Sequence, residues 1–586
     1  MKKRLFYNQI LGLCAMGLIG LSSCVDSDYD LSQDVDMNVT IGGDLTVPGS
    51  NTDDITLKKI FDLEDDCIVK ADAKTGDYFL IKDADPSDSE VEVEGVHIKS
   101  DEIDIEESVT NLQFNYRPDY APNTPIEEEV NQTSSFKINK NDVTKDLVKL
   151  NATSMKMNSK LALNFENNNH LAKLTLRKGF KLIFPAYMTI ESNDSRCKVV
   201  DNHTLTFVQD ITVARNSRVN IDVRVVYMDF TKTTNQGLVE IGKFAITDEI
   251  LVQGTAYVAN KDLSAGDVNV NFVSAVEIDH VDLVEVNAVV DPEIDINVNP
   301  INIDNLPDFL TDDEVRVQLT DPRIYLTVTN ESPVSVNFIA DLVPVKGGNV
   351  ISGNTVTIGS KTAGANQIII PGNKKNYRIC VHQTTSSEGI DADKFVVVPG
   401  LNKIVQQIPD QIKVENTVAK ALPENVTLKV NSVYDVHTDY KVNAPLQLNE
   451  GTKIIYSDNM DGWIDDLEDI DIKQANITMK AKNTIPLDMD LTIDPINEAG
   501  EILNNVKVTI VKGKVTAGSK DAPVESDLEI TLQASNSAFK TLDGIKYRVS
   551  AVTDAKYNGI NLNENQKLVL DNIKVKVIGG VTVDLN

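Results

Sequence analysis

The sequence predicts an all-β protein: tandem immunoglobulin-like β-sandwich domains behind a small N-terminal β module. Three observations predict it. Apolar and polar residues alternate along most of the chain, as in Val268-Val270-Phe272, Ile294-Ile296-Val298 and Val315-Val317-Leu319. Candidate helices are few and short, at Leu57–Leu63, Leu306–Leu310, Asn402–Ile408 and Trp463–Asp469. A strand pattern also recurs without a gap: Ile324, Leu326, Val328, Asn330, Pro333, Val334, Val336 and Phe338 match Ile477, Met479, Ala481, Asn483, Pro486, Leu487, Met489 and Leu491.

The chain opens with Lys2, Lys3 and Arg4, then a mostly apolar stretch from Leu5 to Leu21 interrupted by Asn8-Gln9, then Ser22-Ser23-Cys24. This stretch is too short for a membrane span, which takes about 20 continuous apolar residues, and its basic flank reads as a cleaved signal. The combination resembles the lipobox of bacterial lipoproteins. That resemblance implies cleavage before Cys24, diacylglycerol on its thiol and attachment to the membrane through the acyl chains. Residues 1–23 are thus read as the signal peptide and 24–35 as an acidic tether. Asp26, Asp28 and Asp30, directly after the cysteine, resemble the surface-export signal of Bacteroidota-type lipoproteins. The implied location is the outer membrane, facing the cell exterior.

Residues 36–109 follow as the small β module. In it Val35, Met37, Val39 and Ile41 alternate up to Gly42-Gly43, and Leu45 and Val47 resume beyond. This reads as a hairpin with a Gly-Gly turn. Ile573, Val575 and Val577 before Gly579-Gly580, with Val581, Val583 and Leu585 after, show the same arrangement near the end. The acidic run Asp83–Glu90 is read as a loop.

The repeats divide the remainder into 110–267, 268–425 and 426–586. Val268, Val270, Phe272 and Ser274 align with Val426, Leu428, Val430 and Ser432, Val286-Asn287-Ala288 with Val442-Asn443-Ala444, and Tyr377-Arg378-Ile379 with Tyr547-Arg548-Val549. Leu161, Leu163, Phe165 and Asn167 fit the first half of a further copy, with His170 where proline would stand. Within the repeated unit a strand exits at asparagine, which tolerates turn geometry and bonds nearby backbone. Proline then opens the next strand, where its missing N–H does no harm. Some twenty residues per copy are similar to late-embryogenesis-abundant and water-stress β-sandwich domains. The resemblance implies an immunoglobulin-like sandwich and no activity.

Composition bounds the function. Asp and Glu outnumber Lys and Arg by 88 to 56, for a formal net charge of −32. Such a chain repels phosphate backbones, which excludes nucleic acid as a partner. Cys67, Cys197 and Cys380 are widely spaced and odd in number, so they read as buried, inert thiols rather than a disulfide framework or zinc site. No nucleophile elbow, His-Glu-x-x-His or dinucleotide loop is present. Gly359-Ser360-Lys361-Thr362 is a polar turn, and the six histidines, at 97, 170, 203, 280, 382 and 437, form no close pair. No catalytic, cofactor-binding or metal-ligating residue is assigned.

Ser457–Glu468 follows the twelve-position calcium-loop template, with Asn459, Asp461, Asp465 and Glu468 at ligand positions and Gly462 at the turn. Ser457 stands where the first Asp belongs and the entering segment reads as a strand, so a β-turn capping a short acidic helix is the competing reading. The expected function is a non-enzymatic surface lipoprotein serving adhesion, assembly or ligand binding, with protein or glycan partners. The alternative is an accessory glycan-binding lipoprotein of a nutrient-uptake system, and the third is a cryptic hydrolase. One tryptophan and 5% aromatic residues weigh against a long polysaccharide cleft.

Overall fold

A computed structural model describes residues 38–584, except 49–53, 62, 64, 66, 168–170, 264–265, 293, 296–297, 311, 365, 388, 468–469 and 536. Strands dominate, and the helices are single turns. Leu57–Phe61, Asp308–Leu310, Lys403–Gln406 and Ile464–Leu467 fall within the four segments where the sequence predicts them. No helix among the described residues is long and apolar enough to cross a membrane.

The strands form three two-layered sandwiches, and their connectivity is set by a strap of N-terminal strands, residues 38–114. Four strands of that segment matter most: β1 (Asn38–Ile41), β2 (Leu45–Pro48), β3 (Tyr78–Val93) and β4 (Ser108–Phe114). The first sandwich contributes β5 (Leu147–Asn167) and β6 (Val268–Val290). The second contributes β7 (Arg323–Asn330) and β8 (Ser432–Pro445), and the third β9 (Ile470–Asn483) and β10 (Lys567–Asp584). In every sandwich the last strand lies between the middle strand and one N-terminal strand, all antiparallel: β5–β6–β4, β7–β8–β3, and β9–β10 with β1 and β2 in line.

The second sheet of each sandwich is also built alike. Lys243–Ala259 lies between Pro125–Asn141 and the pair Lys173–Leu176 and Lys181–Ile183. Gln411–Ala421 lies between Ile301–Asn302 and Val336–Lys346, and Gly544–Val552 between Lys453–Met460 and Asp488–Ile496. Inward-facing residues at period two close the layers. Leu161, Leu163, Phe165, Phe114 and Phe272 are all buried in the first core, each contributing on the order of 1.5–3 kcal/mol by leaving water.

The sequence repeat is visible in register. Leu161 pairs with Val276, Ile324 with Val442, and Ile477 with Val575. Leu161 thus stands on the middle strand of its sandwich, as Ile324 and Ile477 do on theirs. The asparagine that ends the pattern has one job in two sandwiches. Asn330 is 1% exposed; its Nδ2 donates to the carbonyls of Val334 (3.0 Å) and Pro371 (3.2 Å), and its Oδ1 accepts from the Ser332 N–H (3.0 Å). Asn483 donates to Leu487 (3.3 Å) and Thr516 (3.0 Å) and accepts from the Ile485 N–H (2.8 Å). The side chain satisfies the backbone groups freed where the chain passes from one sheet to the other. The Tyr-Arg echo has no such basis, because Tyr377 and Tyr547 stand on strands that belong to non-equivalent sheets.

Several expectations are corrected. The N-terminal segment is β-rich, but its strands are shared out among all three sandwiches in reverse order, third, second, first. The sheets group mainly as 97–290, 294–445 and 453–584, with N-terminal strands added to the second and third and Asn425–Lys429 returning to pair with β6 of the first, and do not break at 109, 267 and 425. The reason is that β6 carries the first sandwich's ladder well past residue 267. Gly42-Gly43 is no hairpin turn. β1 and β2 both run antiparallel to β10, and Gly42-Gly43 faces Gly579-Gly580 at one interruption between Ile41↔Val581 and Leu45↔Val577. Gly43, Gly579 and Gly580 all have φ near +90°, so the four glycines let both strands bend together. The acidic run at 83–90 lies inside β3, with Pro86 at a register shift opposite Thr438/Tyr440, a position where a ladder N–H is dispensable.

Charge pairs fasten this strap to its partners, Asp44 to Lys576 (2.8 Å) and Asp83 to Lys441 (3.3 Å), and His97 hydrogen-bonds Asp282. His437 Nδ1 lies 2.6 Å from Asp88 Oδ1, with Asp439 3.5 Å from Nε2. The Asp88 hydrogen bond, with help from Asp439 against slight burial, raises the His437 pKa above its ordinary 6.5. A raised folded value means the contribution is complete below the unfolded value and fades as pH rises through the folded one. The imidazole is exposed, so the effect on stability is small. In an NMR titration Asp88→Asn should bring the His437 midpoint down toward the ordinary value; an unmoved midpoint would refute the assignment.

Candidate functional site

β1 begins opposite Asp584, at the end of the third sandwich away from the second. β3 crosses the second sandwich, from Tyr78, whose N–H bonds the Leu562 carbonyl, to Val93, whose carbonyl accepts from Asn431. β4 ends at Phe114 opposite Val268, where β6 starts at the far end of the first sandwich. The strap thus travels from one extremity of the protein to the other, and the residues that follow it, 115–124, form the loop at the tip.

That loop is ordered by one buried side chain. Asn260 is 1% exposed; its Oδ1 accepts from the Arg117 N–H (2.9 Å) and its Nδ2 donates to the carbonyls of Arg117 (2.8 Å) and Tyr120 (3.1 Å). The Asn260 and Lys261 N–H groups bond the Thr124 and Pro122 carbonyls, and the loop makes two successive turns, Arg117–Tyr120 and Ala121–Thr124. Asp267 accepts from the Tyr116 N–H at 3.3 Å. With its backbone held this way, the loop exposes Tyr116 (40%) and Tyr120 (52%) along with Arg117, Pro118, Asp119 and Asn123. Two residues from the same end of its strand, Tyr257 donates to Asp210 Oδ2 (3.1 Å) under the Arg177 guanidinium, which sits 4.8 Å from the ring centroid. Partial burial, then the Asp210 hydrogen bond, raise the Tyr257 pKa.

The residues singled out from sequence fall elsewhere. Cys24, Asp26, Asp28 and Asp30 lie outside the described residues, as do His170 and Glu468. Ser457 and Asn459 are extended within Lys453–Met460 and paired with Arg548 and Lys546, so they do not wrap around a centre. Instead the Asp543 carboxylate accepts from the Gly462 and Ile464 N–H groups (3.2 Å each), capping the short helix. Trp463 packs against Phe539 and Leu542 in a core, not on a binding surface. No group of three or more His, Cys, Asp or Glu among the described residues is arranged to hold a metal ion. Cys67 and Cys380 are buried and Cys197 is half-buried.

Sequence inspection passes over one buried polar group. His382, opposite Arg323 in the second sandwich, is 1% exposed, and neither ring nitrogen has a hydrogen-bond partner among the described residues. Asp321 lies 3.7 Å away, held by Arg323 Nε at 2.8 Å. Burial pushes the imidazole pKa below 6.5, Asp321 opposes this and Arg323 adds to it. On the same face the Cys380 thiol is pushed up to about 12 by burial. A neutral ring and a protonated thiol without access from solvent form a packed polar patch. The tip is therefore the place where ordered, exposed and chemically varied side chains converge.

No protein-family model matches the chain, and no curated protein matches it. Among solved structures it is similar to one of Parabacteroides distasonis, a member of the Bacteroidota described as a secreted protein. The two share 16% identity over 50% of this chain and 90% of that one, with a TM-score of 0.35. A chain of the Sulfolobus turreted icosahedral virus structure is 10% identical over 82% of this chain and 91% of its own, at a TM-score of 0.10. Likenesses this slight say nothing about activity. What the fold itself defines is a three-sandwich β protein laced together by its N-terminal strap.

Proposed function

We propose that the chain is a lipid-anchored surface protein of the outer membrane whose three sandwiches form a tethered, non-enzymatic spacer that presents the tip loop to a ligand or partner. One observation carries this reading: the strap begins shortly after Cys24 at one extremity and ends at the loop on the other. A lipid at Cys24 then stands at the foot, and residues 115–124 face away from the bilayer. Two or three acyl chains hold such a protein durably, where one does not. The acidic triplet Asp26, Asp28 and Asp30 directs it outward.

The experiment is labelling with radioactive palmitate followed by protease treatment of intact cells. The native chain should take up label and be cut from outside. Cys24→Ser should lose the label. Changing Asp26, Asp28 and Asp30 together to Ala should keep the label and lose the cleavage. An unlabelled native chain would end the proposal.

A further inference from the structure

We propose that the tip loop is a carbohydrate-binding site, with Tyr116 and Tyr120 as stacking platforms and Arg117, Asp119 and Asn123 as its polar contacts; this deepens the tethered-presentation reading and rests on it for the biological setting. Among the described residues the exposed tyrosines are Tyr116, Tyr120 and Tyr227, so two of the three stand four residues apart on this one loop. The Arg117–Tyr120 turn folds the segment between them, so both tyrosines stand on one loop whose backbone is held. Tyrosine offers a flat apolar face and a hydroxyl at low entropic expense. That pairing suits a sugar, which has an apolar C–H face and a rim of hydroxyls. A guanidinium, a carboxylate and an amide beside the rings supply the few directional partners such a ligand needs.

Asn260 makes the platform pre-organised. Its three hydrogen bonds fix the loop backbone before any ligand arrives, which removes an ordering penalty from binding. Other ligand classes fit less well. A stable protein interface engages about 20–30 residues a side, and the exposed loop has only eight, 116–123. The net charge of −32 disfavours polyanions. Two rings separated by polar side chains do not make a contiguous apolar patch for lipid.

The test uses the mature chain on an array of neutral plant, microbial and mucin-type oligosaccharides, with calorimetry on those retained. The native protein and Tyr227→Ala should bind the same oligosaccharides with the same affinity. The double variant Tyr116→Ala/Tyr120→Ala should bind at least tenfold more weakly, and Asn260→Ala should weaken binding through loss of loop order. Both tyrosines are exposed, so an unchanged thermal melt will show that the double variant is folded. Retention of no oligosaccharide, or a double variant within twofold of native, would overturn the proposal. Sugar binding by a protein that intact cells shield from protease would leave the site standing and sink only the surface location.

Discussion

A chain that starts at residue 97 will keep a folded first sandwich and lose the other two. Its first sandwich retains His97–Lys99 and β4, both of which pair with β6. The second and third lose everything the strap supplies. Among the missing side chains are Leu57, Phe61, Ile68, Val69, Tyr78, Leu80 and Val91, all buried and all but Val91 in the core of the second sandwich and its junction with the third, while the third also loses the pairing of β1 and β2 with β10. At about 1.5–3 kcal/mol for each buried apolar side chain, the loss is comparable to or larger than the ~5–15 kcal/mol that holds a typical domain together. The long edges of β8 and β10 also become open templates for aggregation. Limited proteolysis with mass spectrometry should leave a resistant core at about 97–290 and degrade 294–584. Supplying residues 38–96 in trans should rescue the remainder. A monomeric product in which 294–584 melts cooperatively without the strap would show that the strap is an accessory to sandwiches already complete.

Asn330→Ala should destabilise the second sandwich by about 4 kcal/mol. The substitution strands the buried Ser332 N–H and the half-buried Pro371 carbonyl and leaves the Val334 carbonyl only its 3.3 Å bond from Ser332 Oγ; each unsatisfied group costs about 1–3 kcal/mol. Asn330→Asp should be no better. It keeps the acceptor, loses both donations and turns a carboxylate toward two carbonyl oxygens. Asn483→Ala should show a matching loss in the third sandwich because its bonds are the same. A three-sandwich chain need not unfold in one step, so the readout is hydrogen exchange of β7 and β9. Either alanine variant within 0.5 kcal/mol of native would mean that these bonds are replaceable by water or by backbone adjustment.

Strand content, the four short helices and the Asn-x-x-Pro unit were legible because each is a local pattern. Leu161, Ile324 and Ile477 announce themselves by spacing alone. The strap was not legible. Nothing within residues 38–48 points to residues 574–584 as partners, since a strand's own sequence fixes which face is buried and leaves the neighbour unspecified. Asp83–Glu90 misled because acidity and proline suggest a loop. The better signal was there: Asp88 and Glu90 alternate with Ser89 and Val91, acid outward and Val91 and Val93 inward. At the tip, Tyr116-Arg117-Pro118-Asp119-Tyr120 carries the turn residues, and an aromatic pair flanking Pro-Asp was a cue within reach. Asn260, which makes the loop a fixed platform, sits 143 residues away from Arg117 and no sequence pattern links them.

The facing glycine pairs and the reversed order of the strap also set a timetable for folding. The ribosome delivers β1 first and β4 last among the strands that need late partners, yet β4 is completed first, once β6 has been made by residue 290. β3 waits for β8, and β1 waits for almost the entire polypeptide, since Asn38 pairs with Asp584. Closing so long a loop is slow, so the nascent amino end has to remain extended and unaggregated until the last strand arrives. The amino end of the protein is then the last part to become solid.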